Sequence, residues 1–287
     1  MRRPGAPAPP SPPVSSSSYP LGGYSWRGDI KFVVTGARAG PCAGRVLLYC
    51  APARGLYLHA DGATGDTVII SRERLASMID HTLLAPGADR GAIKRLCSEA
   101  AARSIGHVCV NPRYVAEAGG LLRGSGVGVC SVVGFPLGAT LTEVKALEAR
   151  RVVELGADEV DMVLNIGALR NGEDFLVRED IAAVVSAAGV TTKVILETGL
   201  LSDDEKRRGC AAAADAGAHF VKTSTGFAGG GATLEDVRLL KAAVGDRLGV
   251  KASGGIRTWD AAREFIEAGA TRLGTSSGPA ILDGWRH

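Results

Sequence analysis

Aromatic side chains make up only 5% of this 287-residue sequence. The broad stacking surfaces that grip single-stranded nucleic acid are therefore not expected among its working parts. Nor is there a basic body: the first 60 residues hold seven Lys or Arg and one acid, Asp29, which leaves 26 basic against 29 acidic residues from 61 to 287. A mildly acidic main body disfavours nucleic-acid binding, although the whole chain carries a formal charge of +3. No apolar run approaches the roughly 18 residues that a membrane helix requires, so no membrane span is expected.

The six cysteines, Cys42, Cys50, Cys97, Cys109, Cys130 and Cys210, include no CxxC pair. That usage points to a reduced, cytoplasmic protein rather than a disulfide framework. The five histidines show neither HxH nor HExxH spacing, so no metal site is expected. A GxGxxG turn after the first strand is absent too, which removes the usual nicotinamide signature, and no cofactor is expected.

What is present changes character along the chain. Residues 1–70 read as a low-complexity, irregular extension. They open on PGAPAPPSPP and SSSS, followed by strand-like scraps (KFVVTG, RVLLYC, LYLHA, TVIIS) between Gly, Pro and Arg. The basic, acid-poor start has the composition of an organelle transit peptide; the competing reading is an upstream extension that contributes nothing to the chemistry.

Residues 71–287 alternate regularly. Eight short runs rich in Val, Ile and Leu (SMIDHTLL, HVCVNP, VCSVVGFP, EVDMVLNI, TKVILETG, HFVKTST, LGVKASGG, TRLGTSS) are separated by stretches of helical period, such as Leu141, Val144, Leu147, Val152 and Leu155. Capping signatures open three helices: Thr140 with Glu143, Ser202 with Glu205, and Thr233 with Asp236. Helices stop at Gly156, Gly217 and Gly269. Eight such units over about 215 residues fit an α/β fold of the (β/α)8 barrel type. A short helix at SRERLASM closes its floor, and an open doubly wound sheet is the alternative. The barrel is favoured because polar residues gather at the C-terminal ends of many strands.

Strand alternation puts Lys222 in the sixth strand and Lys251 in the seventh on the inner face, with Asp161 in the fourth and Lys193 opening the fifth. An isolated lysine titrates near 10.4, so about one in a thousand is neutral near neutral pH. A neighbouring cation and partial desolvation both favour the free amine. A free amine attacks a carbonyl to form an imine. A single strand-end lysine is more often a solvated charge; two of them with an aspartate in matching phase point to chemistry. After the seventh and eighth strands come Gly254-Gly255 and Gly274-Thr275-Ser276-Ser277-Gly278. Bare backbone N–H groups leading into helices cradle a phosphate, so the expected ligand is a small phosphorylated molecule. Cys109 and Cys130 sit in apolar strands as core thiols. Gly229 to Gly231 read as a flexible loop.

At these residues the sequence resembles the deoxyribose-phosphate aldolase family of class I, Schiff-base-forming aldolases. The likeness runs from about residue 75 to 282, through MIDHTLL, CVNPRYV, VVGFPLGA, ADEVDMVLNIGAL, KVILETGLL, FVKTSTGF, VKASGGIRT and RLGTSS; the KTSTG and VKASGG pair is its most specific part. The resemblance implies that Lys222 forms the imine, that Lys251 is the neighbouring cation keeping that amine uncharged, and that Asp161 relays protons through a water. It also implies that Thr225, Gly226, Gly254, Gly255, Ser276 and Ser277 surround the sugar and its phosphate, with Cys109 and Lys193 in support. The implied partners are phosphorylated sugar and aldehyde substrates, and a homodimer is the expected assembly. Two departures stand out. Phe227 lies where some members carry a lysine, which removes one cationic contact to the phosphate, and residues 1–70 match no part of the family pattern. A transaldolase-like or keto-acid aldolase, and a barrel that binds a phosphorylated ligand without catalysis, are the rival readings.

Overall fold

The computed structural model describes the backbone of residues 46–49 and 57–60 and all of residues 70–286. Two of the early strand-like scraps do pair. β1 (Val46–Tyr49) and β2 (Tyr57–Ala60) run antiparallel, with Val46 opposite Ala60. The low-complexity start, KFVVTG and most of TVIIS lie outside the described residues.

From residue 70 onward the expected alternation forms. α1 (Arg72–Ser77) is capped by the Ser71 side chain, which accepts from Arg74 N, and it buries Leu75 and Ala76. Its end is stitched to the starts of two strands: Ala76 O accepts from Gly106 N at 2.9 Å and Met78 O from Leu273 N at 2.8 Å. The short helix thus closes the N-terminal rim, as the SRERLASM run suggests. Eight parallel strands follow: β3 (Ile79–Leu83), β4 (His107–Val110), β5 (Gly128–Val133), β6 (Glu159–Val163), β7 (Thr191–Ile195), β8 (Phe220–Lys222), β9 (Gly249–Ser253) and β10 (Arg272–Thr275). They pair in chain order, and β10 returns to β3 with Gly274 opposite Asp80, closing the barrel. The intervening helices are α2 (Arg90–Ala102), α3 (Val115–Leu121), α4 (Thr142–Glu154), α5 (Ile166–Arg170), α6 (Asp174–Ala188), α7 (Asp203–Asp215), α8 (Leu234–Val244) and α9 (Trp259–Glu267), with α10 (Gly278–Asp283) last.

The period of two along each strand separates two environments. Val160 and Met162 of β6, Val194 of β7, Val221 of β8 and Val250 of β9 join one large apolar layer between strands and helices. Their alternating neighbours Asp161, Lys193, Lys222 and Lys251 are buried inside the barrel. Above them a small apolar cluster of Leu84, Cys109, Cys130 and Val132 packs with Phe135.

Local signals hold unevenly. Ser202 and Glu205 form the full reciprocal capping box, and Thr233 accepts from Asp236 N. Gly156, Gly217 and Gly269 take φ of 105°, 79° and 111°, a region closed to most side chains. The Thr140–Glu143 cap does not form. α4 starts after Leu141, and the hydroxyl nearest that end, on Thr142, bonds Asp180 at 2.8 Å. The apolar stripe on α4 is also turned outward. Leu141, Val144, Leu147 and Leu155 are 64%, 45%, 52% and 42% exposed, whereas Lys145, Ala149 and Val152 are buried. The inward face carries a buried ion pair beside Ala149 and Val152: Lys145 Nζ lies 2.6 Å from Asp180 Oδ2 and 3.1 Å from Val163 O. The loop Gly229–Gly231 is likewise more constrained than its composition suggests. A Cβ on Gly231 would lie 2.7 Å from Gly254 O, so glycine permits that close approach.

Removing one partner of the Lys145–Asp180 pair strands a buried charge. Asp180→Ala is therefore expected to destabilise the barrel by about 3–5 kcal/mol, and the paired change Lys145→Met with Asp180→Leu by clearly less. Urea denaturation of both variants checks this; equal losses would contradict it.

Candidate active site

Asp161 is the hub of the barrel interior. β6 places it between Val160 and Met162, with full burial. Its Oδ1 accepts from Lys193 Nζ at 2.8 Å and from the Cys130 thiol at 3.2 Å. Its Oδ2 accepts from Lys222 Nζ at 2.8 Å and Lys251 Nζ at 2.7 Å. The two lysine nitrogens therefore touch the same oxygen and stand no further apart than the sum of those distances. Register explains the meeting: Asp161 faces Lys193 across β6–β7, and Lys222 faces Lys251 across β8–β9.

Beneath this hub lies a second tier. Lys251 also reaches Asp80 Oδ2, and Lys193 contacts Glu159 Oε2 at 2.7 Å. Arg272 Nη1 lies 2.7 Å from Asp80 Oδ1, and its Nη2 lies 3.0 Å from Glu159 Oε1. His107 Nδ1 faces Arg272 Nη1 at 2.9 Å. A guanidinium can only donate, so that ring nitrogen accepts and is unprotonated.

The electrostatics follow from these contacts. Burial alone raises the Asp161 carboxyl, but Lys193, Lys222 and Lys251 outweigh it and hold the group well below the ordinary carboxylate range. Asp80 is depressed for the same reason, with Lys251, Lys193 and Arg272 overcoming its burial. For Lys251, burial favours the neutral amine, but Asp161 and Asp80 reverse this and raise it above the usual lysine value. Lys251 is thus a fixed ammonium. Burial pushes the His107 imidazole down, against the pull of Asp80 and Glu159. Of the two thiols, Cys109 is lowered by its hydrogen bond to Cys130, and burial raises Cys130.

Above the network a cavity of about 380 Å³ opens at the C-terminal ends of the strands. Lys222 forms its floor. Thr225, Gly254, Gly255 and Ser276 line one side together with Ser253, Thr275 and Arg257, and Leu83, Leu84, Ala85, Pro86 and Phe227 make an apolar flank. Phe227 meets Phe135 edge to face, with ring centroids 5.2 Å apart. Gly254 and Gly255 adopt φ of 98° and 85°. Gly226 and Ser277, expected at the substrate, do not line this cavity; Ser277 N instead donates to Thr275 Oγ1 at 2.9 Å. Asp161, Lys251, Lys193 and Cys109 are absent from the cavity wall and are fully buried, and Lys222 is the member of the network that reaches the cavity.

Sequence reasoning did not single out Asp80, Glu159, Arg272 or Glu197, and it did not count on Arg257, which lines the cavity, to replace the cation missing at Phe227. Asp80 carried a readable signal, an acid inside the apolar run SMIDHTLL, the same signal that identified Asp161. Arg272 and Glu159 open their strands and read as solvent-facing ends. Cys109, Cys130 and Asp161, and likewise Asp80, His107 and Glu159, bring donor atoms within 4.8 Å of one another. Lys193, Lys251 and Arg272 already pair with the three carboxylates Asp161, Asp80 and Glu159 of these sets, so neither offers an uncompensated charge to a cation.

A floor lysine held against a carboxylate, with a fixed ammonium on the same oxygen and a Gly- and Ser-lined cavity above, is suited to carbonyl addition by an amine. The comparisons with known proteins agree. The deoxyribose-phosphate aldolase of Carboxydothermus hydrogenoformans is 56% identical over 221 residues, covering 75% of this chain and 97% of that protein. That of Geobacillus sp. is 54% identical over 73% of this chain and 95% of its own length. Among solved structures, the deoxyribose phosphate aldolase of Aeropyrum pernix, described as a unique tetramer, superposes with a TM-score of 0.70 at 38% identity, covering 74% of this chain and 91% of that one. Residues 74–284 match the DeoC/LacD family aldolases, and the chain belongs to that family.

Proposed function

We propose that the chain catalyses the reversible aldol cleavage of 2-deoxy-D-ribose 5-phosphate to acetaldehyde and D-glyceraldehyde 3-phosphate through an imine on Lys222. One observation carries the reading: Lys222 is the amine of the network with the least compensation. Four cations, Lys193, Lys222, Lys251 and Arg272, share three carboxylates, Asp80, Glu159 and Asp161. Lys193, Lys251 and Arg272 each contact at least two of them, whereas Lys222 contacts one oxygen of Asp161 that Lys251 also holds. Of the three amines, Lys222 is therefore the one with the fewest counter-charges beside its nitrogen, and it is the one that lines the cavity.

In the cleavage direction Lys222 Nζ adds to C1 of the open-chain sugar, and loss of water gives the iminium. The C3 hydroxyl then gives up its proton to water and its oxygen becomes the aldehyde carbonyl, while the electron pair of the C2–C3 bond moves into the iminium, releasing glyceraldehyde 3-phosphate and leaving an enamine on Lys222. Protonation at C2 and hydrolysis then release acetaldehyde and restore the amine. Asp161, fed by the Lys251 ammonium on the same oxygen, passes protons between these steps. Gly254, Gly255 and Ser276 hold the phosphate with Arg257 beside them, while Thr225 shapes the same end. Gly226 and Ser277 take part through the loop backbone, and Cys109 and Lys193 support the interior from below.

The barrel carries this chemistry by itself and residues 1–70 form a separate extension; the family match beginning at residue 74 supports that division. Among the described residues no helix is long and apolar enough to cross a membrane. Cys97, Cys109, Cys130 and Cys210 are buried free thiols, which suits a reducing compartment and a cytoplasmic location.

The protein acts as a homodimer through the outer face of α4. Leu141, Val144, Leu147 and Leu155 form an exposed apolar row there, continued by Leu137. Lys145, paired with Asp180, lies on the buried face of the same helix. Antiparallel pairing of two copies about Leu147 would bring Glu143 of one copy near Arg151 of the other, four residues away on either side.

Borohydride treatment with acetaldehyde is expected to leave a reduced adduct on Lys222. Lys222→Arg should abolish it and lower kcat at least about a thousandfold, equivalent to ~4 kcal/mol of lost transition-state stabilisation. Trapping only with a keto acid, or no adduct with any carbonyl compound, would overturn the assignment. Lys251→Met should slow adduct formation about a hundredfold, read by mass spectrometry on folded protein. For the assembly, sedimentation equilibrium should show a wild-type dimer and a Leu147→Glu monomer; a monomeric wild type would refute the α4 contact.

A further inference from the structure

Glu197 lies just past β7 and is buried, with 2% of its surface exposed. Among the described residues it pairs with no lysine or arginine. Its carboxyl is committed to one residue: Thr225 N donates to Oε1 at 3.3 Å and Oε2 at 3.2 Å, and the Thr225 hydroxyl donates to Oε2. The same Thr225 oxygen accepts from Phe227 N at 3.0 Å. One carboxyl therefore sets the path of the loop Thr225-Gly226-Phe227, and both Thr225 and Phe227 line the cavity above Lys222.

The backbone at Glu197 reinforces this. It sits at φ 59° and ψ 60°, the left-handed region that side-chain-bearing residues seldom occupy. A strained conformation persists where its surroundings hold it, and such positions cluster at functional sites. Here it aims the side chain of a β7–α7 residue at the neighbouring β8–α8 loop. The ladder pins both chains on either side, since Leu196 N donates to Lys222 O and Thr198 N to Thr223 O, each at 2.9 Å.

We propose that Glu197 is a positioning residue: without touching substrate, it holds the Thr225–Phe227 loop in the shape that accepts the phosphorylated half of the sugar. The proposal rests on the aldolase reading above and adds a division of labour within it. Lys222 and the network below it carry the bond chemistry, and Glu197 governs how well the remote half binds.

Steady-state kinetics with 2-deoxyribose 5-phosphate, borohydride trapping with acetaldehyde and thermal melting of the full chain test it. Glu197→Gln and Glu197→Ala are expected to raise KM about tenfold with kcat within about twofold of wild type. The rate of trapping with acetaldehyde, which lacks the phosphorylated half, should stay at the wild-type value. Thr225→Val, which removes the hydroxyl bond to Glu197 but keeps the backbone N–H bonds, should also raise KM, and the Glu197→Ala, Thr225→Val double variant should fall short of the two single effects combined, because they share that hydroxyl contact. Glu197→Gly should melt no lower than Glu197→Ala, since glycine takes this backbone without strain, while sharing its raised KM. An unchanged KM in Glu197→Gln and Glu197→Ala, a loss carried by kcat, or additive effects in the double variant would overturn the proposal. A wild type that gives no adduct would instead remove the aldolase reading on which it rests.

Discussion

One carboxylate, Asp161, organises the interior of this barrel. Three lysine side chains converge on its two oxygens in a space that excludes bulk water. Burying any of these groups alone costs several kcal/mol, so each is tolerable only while the others are in place. That mutual dependence makes the interior of a (β/α)8 barrel, commonly a stack of branched apolar side chains, into a charged lattice. Asp80 and Glu159 extend it downward and give Lys193 and Lys251 further counter-charge, with Arg272 bridging the two carboxylates. Lys222, at the top, has no such second carboxylate. Its place in this distribution of charge sets it apart from Lys193 and Lys251.

The lattice is compatible with a stable fold because strand alternation keeps it apart from the apolar layer. Val160, Val194, Val221 and Val250 pack outward on the helices, while their sequence neighbours Asp161, Lys193, Lys222 and Lys251 face inward. Hydrophobic burial is concentrated between strands and helices, where it stabilises the barrel without interrupting the network. The interior can then be specialised for electrostatics. Lys145 with Asp180 repeats the device outside the barrel, where a buried ion pair lies on the inward face of α4 and its leucines face outward.

The mouth obeys different constraints. Gly254 and Gly255 adopt positive φ, Gly231 lies against Gly254, and Glu197 reaches across to the next loop. These are backbone devices that hold the wall in place around a cavity whose opposite flank is apolar. The interior and the rim are thus held by separate sets of contacts.

The fold was legible in the sequence because its signals are local. Eight apolar runs alternate with stretches of helical period, and Gly at the helix ends and the Ser202–Glu205 box are short-range patterns that the chain realises directly. Lys222, Lys251, Asp161 and Lys193 could be found for the same reason: charges in phase within apolar strands have one interior to share. The rest needed the closed barrel. Asp80 and Arg272 are separated by most of the chain and meet only because β10 closes on β3. The outward face of α4 contradicts its own periodicity, and the partner of its inward Lys145, Asp180, belongs to another helix. Glu197 reads as an ordinary acid after a strand until the fold bends it toward Thr225. Sequence by itself determined which residues could be buried and at what period. Tertiary structure alone decided which charges compensate one another, since Coulombic balance depends on distances in space and the order of residues carries no record of them.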